Sequence, residues 1–379
     1  MVTVAVTPEA ADEPRAAISP ETAKKLSALG CTVRVVSGAG RASGVSDDVL
    51  QAAGATIVTG AGEALDGADF LLTVRRPSVE DVGRLKPDAK IISMLNPYDD
   101  REGLAALAET GRSLFAMEFM PRITRAQSMD VLSSQSNLAG YKAVVDAASM
   151  LHQAVPMMMT AAGTVPAAKM FIMGVGVAGL QAIATARRLG GIVSATDVRP
   201  ATKEQVASLG AKFIAVEDDE FREAQTAAGY AKPMSEGYQK KQAELVANHI
   251  KTQDVVVTTA LIPGRPAPKL ITAEMVRSMK PGAVIADLAA ERGGNCELTR
   301  AGETVEEGGV KIWGPLNLAG TVPVNATALY AKNLLNFIDT MFDKKSKELA
   351  IDWDDETVKG TLVAKGGQIV HPNLVTQGS

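Results

Sequence analysis

The stretch Lys169–Asp197, KMFIMGVGVAGLQAIATARRLGGIVSATD, decides the fold class of this chain. The apolar run Met170 to Met173 predicts a buried strand, and it stops at Gly174-Val175-Gly176-Val177-Ala178-Gly179. A helix-period segment follows to about Leu189, and a second apolar run from Ile192 ends in Asp197. Strand, glycine turn, helix, strand and a closing acid form the setting in which G-x-G-x-x-G binds a dinucleotide. Gly174 allows the tight turn, Gly176 lets the backbone approach a pyrophosphate, and Gly179 lets the helix lie close on the strand. Val175 and Val177 sit between them in the same turn. The helix N-terminus offers N–H groups and a positive dipole end to the phosphates. A glycine-rich turn by itself can serve packing alone; the placed carboxylate separates the two readings. Asp197 is expected to accept the adenosine ribose hydroxyls and repel a 2′-phosphate, which favours NAD(H) over NADP(H). Val198 and Arg199 follow as further cofactor contacts, and Arg199 leaves a route by which a 2′-phosphate is held.

Outside this stretch, the first third alternates strand-like and helix-like segments. Apolar runs lie at Val2–Val6, Thr32–Val36, Thr56–Val58, Phe70–Val74, Ile91–Leu95 and Leu114–Met117. Helix character lies between them at Ser19–Leu29, Asp47–Ala53, Ser78–Leu85 and Asp100–Ala108. Repeated β–α alternation predicts a parallel sheet wrapped by helices. Downstream of Asp197 the pattern resumes with a helix Ala201–Leu209, a strand Ala211–Val216, a helix Glu236–Ile250 and strands Asp254–Thr259 and Ala283–Leu288. Ala260 and Leu261, just past a strand's carboxyl end, are expected to touch the nicotinamide side of a ligand. Glu291 is a candidate by the same position alone. A helix Val322–Phe342 and short strands at Leu349–Trp353, Gly360–Ala364 and Gln368–Val370 close the chain, the last two as a hairpin that completes a sheet or embraces a second copy.

The expected fold is therefore α/β: two doubly wound, parallel-sheet, Rossmann-like domains separated by a cleft. Residues 1–135 with 325–379 form the first and residues 136–324 the dinucleotide-binding one. A chain of 379 residues is long enough for two cores, and 46% hydrophobic with 22% charged residues is ordinary for a globular protein. The net charge of −4 gives no electrostatic reason to expect nucleic acid. Cys31 and Cys296 lack metal-ligand spacing, and no metal is expected. The N-terminus has neither the basic start nor the apolar core of a signal peptide. Met170–Ala186 is uncharged, but the glycine turn explains its hydropathy better than a membrane span.

Between the first domain and the helix expected at Leu138–His152 runs a polar segment, PRITRAQSMDVLSSQSN, with little period of either kind. On composition alone it is a solvated linker; function-bearing loops in such places are also common. Here the sequence becomes recognisable. PRITRAQSMDVLSSQSNLAGYKAV, AAGTVPAAKMFIMGVGVAGLQAIATARRLG, TDVRPATKEQVASLGAKFI, TTALIPGRPAPKLIT and MKPGAVIADLAAERGGNCELT resemble the NAD(H)-binding component of proton-translocating nicotinamide nucleotide transhydrogenases. The resemblance covers essentially the whole chain, and the wider family includes alanine dehydrogenase.

The resemblance implies that Arg122, Asp130 and Ser133 hold the carboxamide and ribose of NAD(H). It implies that Gln127 reaches toward a nucleotide carried by a partner. It further implies a flap over bound nucleotide within the polar stretch Glu217–Gly237, with Tyr230 near its tip and Gly229 supplying the bend. The implied enzyme is an NAD(P)+ transhydrogenase in which NADH on this chain reduces NADP+ on a separate component. It is active only with that component and a membrane-spanning proton-channel component. A homodimer at the cytoplasmic face of the inner membrane is the expected setting. Ending at Ser379, the chain is expected to be a separate subunit or a piece of a longer one.

The residues themselves agree with ring-to-ring transfer. A hydroxy- or amino-acid dehydrogenase needs a proton-handling group and a cation for the substrate carboxylate. Alanine dehydrogenases carry a lysine and a histidine where this chain has Arg75 and Met94. Direct hydride transfer needs only two oriented rings and excluded water. An alanine dehydrogenase-type enzyme and a non-catalytic NAD-binding module are the alternative readings.

Overall fold

The computed structural model describes residues 1–224, 234–262, 264–343 and 345–375. The chain divides into two compact units, Met1–Gln135 with Ala319–Ser379 and Ser136–Leu318. Each is α/β and built on its own parallel-dominated sheet.

In the first unit, β1 (Thr3–Val6), β2 (Thr32–Val36), β3 (Thr56–Val58), β4 (Phe70–Leu72), β5 (Lys90–Ser93) and β6 (Ser113–Ala116) are all parallel. β1 lies between β2 and β4, so the winding reverses there. Strand alternation feeds two apolar layers: Phe70 and Leu72 enter one, Leu71 the other. Because both faces are covered, the strands read as continuous apolar runs. The helix Pro20–Ala28 shows why its ends were legible. Ser19 and Thr22 form a reciprocal capping box, proline occupies the first turn, and Gly30 sits at φ +88° just past the end.

The second unit opens with a small antiparallel hairpin, β7 (Met158–Thr160) and β8 (Gly163–Val165). Its sheet comprises β9 (Lys169–Met173), β10 (Ile192–Thr196), β11 (Lys212–Phe213), β12 (Val255–Thr258), β13 (Val284–Asp287), β14 (Thr304–Glu307) and β15 (Val310–Trp313). The order is β11-β10-β9-β12-β13-β15-β14, and only the edge strand β14 is antiparallel. The helix Pro323–Asp339 then returns to the first unit, burying Tyr330, Leu334 and Phe337 in its core. β16 (Leu362–Lys365) pairs antiparallel with β6, and β17 (Gln368–Ile369) with β16. The C-terminal hairpin thus extends the first sheet.

Several local expectations are corrected. The helix expected to begin at Leu138 begins at Val131 and runs to Met150. Asp130 is the reason: its Oδ1 accepts the Ser133 N–H at 2.9 Å and its Oδ2 the Ser133 hydroxyl at 2.5 Å, a cap that starts a helix inside a polar stretch. The strand expected over Ala211–Val216 is reduced to Lys212–Phe213, at the sheet edge. Leu349–Trp353 forms no strand: Leu349 makes a single bridge to Phe342, and Leu349, Ile351 and Trp353 pack against the first core through side chains. Glu356–Thr361, unassigned in the sequence, is a helix capped by Asp355. Among the described residues no helix is long and apolar enough to cross a membrane.

Candidate dinucleotide site

The glycine turn is built as its spacing requires. Gly174 has φ +99°, and a Cβ there would meet the Thr259 hydroxyl at 2.6 Å. That hydroxyl donates to the Gly174 carbonyl at 3.1 Å, tying the end of β12 to the turn after β9. A methyl group on Gly179 would collide with the Gly174 carbonyl oxygen, so only glycine lets the helix Val177–Arg188 lie this close to its strand. Gly176 differs from both. Its ideal Cβ meets nothing within 4 Å, and no side chain caps the helix that starts after it. The first-turn N–H groups therefore face open space, as an anion site at a helix start needs. Val175 is buried under the turn, while Val177 and Val198 are exposed beside it.

Asp197 closes β10 with its carboxylate almost buried. Oδ2 accepts the Val175 N–H at 2.7 Å, which fixes the acid directly on the glycine turn. Oδ1 accepts the Arg199 N–H at 2.9 Å, and the Arg199 guanidinium adds one bond to each oxygen, both at 2.9 Å. Hydrogen bonding to Asp197 raises the Arg199 pKa.

Beyond the β12 end, Ala260 is held by a residue that sequence reasoning missed. Asn295 is fully buried; its Oδ1 accepts the Ala260 N–H at 3.0 Å and its Nδ2 donates to the Ala260 and Pro268 carbonyls. The Asn295 backbone is itself set by a buried acid, because Asp287 at the end of β13 accepts from Thr258, Ala289, Cys296 and Thr299. An asparagine after two glycines carries no sequence signal for this clamp. Leu261 is exposed. Glu291 accepts the Asn317 N–H at 2.6 Å, which gives this loop acid a bracing role.

Asp130 and Ser133 are paired with each other in the helix cap. Gln127 is exposed on the 3-10 turn Thr124–Met129, and Arg122 is exposed upstream. The turn is braced within the first unit: Asn333 and Asn336 donate to the Ser128 carbonyl at 2.8 and 3.0 Å, and Arg125 pairs with Asp355 at 2.7 Å. Arg125 holds the Asp355 carboxyl well below the usual carboxylate range. Further along, the helix Val131–Met150 crosses the glycine turn. A side chain at Gly140 would collide with the Ala178 carbonyl, and Asn137 donates to Gln181 at 3.3 Å. Gly229 and Tyr230 lie outside the described residues. Among the described residues no group of three or more His, Cys, Asp or Glu side chains is placed to hold a metal ion.

The corresponding place in the first unit is filled by the chain itself. At the ends of β1 and β4, Glu9 accepts the Val74 and Arg75 N–H groups at 2.7 and 3.0 Å. Buried Glu13 takes Arg15 at 2.7 Å and Arg75 at 2.8 Å. Met94 packs against the apolar core.

Comparison with known proteins matches the alanine dehydrogenase/PNT N-terminal domain over residues 5–139 and the alanine dehydrogenase/PNT C-terminal domain over residues 143–372. The first of the separately encoded pieces of the NAD(P) transhydrogenase alpha subunit of Rhodospirillum rubrum is 54% identical, with 97% of each chain covered. Its counterpart from Rickettsia prowazekii is 44% identical, covering 98% of this chain and 96% of that one. The crystal structure of transhydrogenase from Sinorhizobium meliloti is similar with a TM-score of 0.88 and 55% identity, covering 97% of this chain and 100% of that one.

Proposed function

We propose that this chain, which belongs to the alanine dehydrogenase/PNT family and is a homologue of NAD(P) transhydrogenase subunit alpha, binds NAD(H) and exchanges hydride directly with NADP(H) held on a separate component. The observation that carries the reading is the turn at Gly174–Gly179, with Gly176 open, the helix start uncapped by any side chain and the Asp197 carboxylate bonded to Val175. Gly174, Val175, Gly176, Val177 and Gly179 would hold the pyrophosphate. Asp197, Val198 and Arg199 would meet the adenosine ribose, and Ala260 and Leu261 the nicotinamide side. By likeness to the family's loop, Arg122, Asp130 and Ser133 attend the nicotinamide carboxamide and ribose. Gln127 helps bring the two rings together, and Gly229 and Tyr230 close over bound nucleotide.

NAD supplies the hydride chemistry; the protein's task is to orient one ring and exclude water. No proton-handling side chain is required. Arg75 supports this reading over amino-acid oxidation, because its guanidinium is engaged by Glu13. The proposal places the chain at the cytoplasmic face of the inner membrane through its NADP(H)-binding and proton-channel partners. It also makes the chain a homodimer. The exposed hairpin β7–β8 supports that element of the proposal, since a two-stranded hairpin is marginal alone and this one presents Met157, Met158 and Met159 to solvent.

The test mixes the purified chain and NADH with the NADP+-loaded partner component of a relative. NADPH is expected to form in the mixture and not without the partner. Gln127→Asn is expected to slow transfer on the order of tenfold or more with NADH affinity little changed, since a small misplacement of reacting groups has a large effect on rate. A variant at full speed removes Gln127 from the mechanism; NADH consumption with pyruvate and ammonia alone would replace the proposal with an alanine dehydrogenase.

A further inference from the structure

We propose that Arg199 competes with the adenosine ribose for the Asp197 carboxylate, so that this one guanidinium sets how sharply the chain distinguishes nucleotides by their 2′ group. The inference rests on the NAD(H) assignment above. An ionised carboxylate offers about four acceptor positions. At Asp197 four donors already use them: Val175 N and Arg199 Nη2 on Oδ2, and Arg199 N and Nε on Oδ1. The two backbone N–H groups are set by the turn and stay. The guanidinium is the movable pair, and its side chain retains 30% exposure, which leaves it a path into water.

A ribose diol brings two O–H donors, matching in number the two N–H groups that the guanidinium contributes. Binding is then a two-for-two exchange on one carboxylate, and the net gain is smaller than an unclaimed acid would give. Once displaced, the guanidinium remains tethered two residues from Asp197. Its planar fork suits a phosphate better than a hydroxyl. A 2′-phosphate is therefore repelled by Asp197 and attracted by Arg199. Arg199 weakens the preferred ligand and assists the disfavoured one, narrowing discrimination from both sides.

The experiment titrates NADH, NADPH and NADH lacking the adenosine 2′-hydroxyl into the full chain and into Arg199→Gln. Loss of a positive charge near the pyrophosphate weakens all three together, so the ratios carry the answer. The ratio of the dissociation constant for the 2′-deoxy compound to that for NADH is expected to rise about three- to tenfold, and the NADPH-to-NADH ratio to rise at least as much. Arg199→Lys, which keeps the charge but loses the fork, is expected to give a smaller rise, and decides the matter should Arg199→Gln fail a thermal-unfolding check. Ratios that stay level or fall, with NADH binding intact in the unaltered chain, overturn the inference alone. Failure of the unaltered chain to bind NADH overturns the nucleotide assignment and this inference with it.

Discussion

The two sheets share a topology but treat the same position differently. In each, the first strand lies between its second and fourth, β1 between β2 and β4 and β9 between β10 and β12, and the reversal opens a crevice at the carboxyl ends. In the second unit that crevice presents an unobstructed Gly176 and a helix start without a side-chain cap. In the first, Glu9 already takes the Val74 and Arg75 N–H groups, and Glu13 binds both Arg15 and Arg75. Topology alone therefore does not make a ligand site. What matters is whether the chain's own acids satisfy the strand-end donors or leave them to a phosphate.

The sharpest way to break this comparison is at the glycine turn. Gly179→Ala places a methyl group on the Gly174 carbonyl and should lower stability by about 1–3 kcal/mol while abolishing NADH binding, read by thermal unfolding and fluorescence titration. Gly176→Ala has room and an ordinary φ of −80°, so its unfolding temperature should barely move. Its NADH affinity should nevertheless fall on the order of tenfold or more, because the pyrophosphate needs the space a methyl group would fill. A Gly176→Ala protein that binds NADH normally would show that this crevice is not the phosphate site.

A smaller effect is expected in the first unit. Burial pushes the Glu9 carboxyl up to about 7; neighbouring Glu13 adds to the rise and the two N–H bonds oppose it. A carboxyl that holds its proton more tightly when folded contributes stability at low pH and loses it as pH rises from about 4.3, the unfolded value, through the folded one. Glu9→Gln does not titrate. The unfolding temperature of the unaltered chain relative to this variant should therefore decline between about pH 4.3 and the Glu9 value. NADH affinity should not change; a weakened affinity would mean that the first crevice takes part in nucleotide binding. Smallest of all, Arg125→Ala should alter stability by no more than about 1 kcal/mol, since the pair with Asp355 is half exposed and Asn333 and Asn336 also brace the turn.

Much of this arrangement could be read from residues whose effect is local. Gly174 and Gly179 are demanded by backbone crowding, and the Ser19-Pro20 start is a short-range cap, so both were visible. The features not visible depend on distant partners or on a side chain's choice between them. Asn295 clamps Ala260 across 35 residues. Whether Asp197 faces Arg199 or solvent is decided by rotamers, not spacing. The cap at Asp130 was hidden because the helix it starts opens with polar residues, Ser133-Ser134-Gln135-Ser136-Asn137, that carry no apolar period. Conversely, Leu349–Trp353 alternates like a strand, yet its apolar side chains only pack against a core.

The split of the first unit also bears on how the polypeptide matures on the ribosome. Ser136–Leu318 is a single continuous stretch whose last strand ends at Trp313, so its sheet can be finished while the rest is still being made. The earlier-synthesised β1–β6 must wait: their apolar face lacks Tyr330, Leu334 and Phe337, and β6 keeps a bare edge until Leu362–Lys365 emerges. Birth order and completion order are therefore reversed, and the N-terminal strands are the region of the nascent protein most in need of a chaperone.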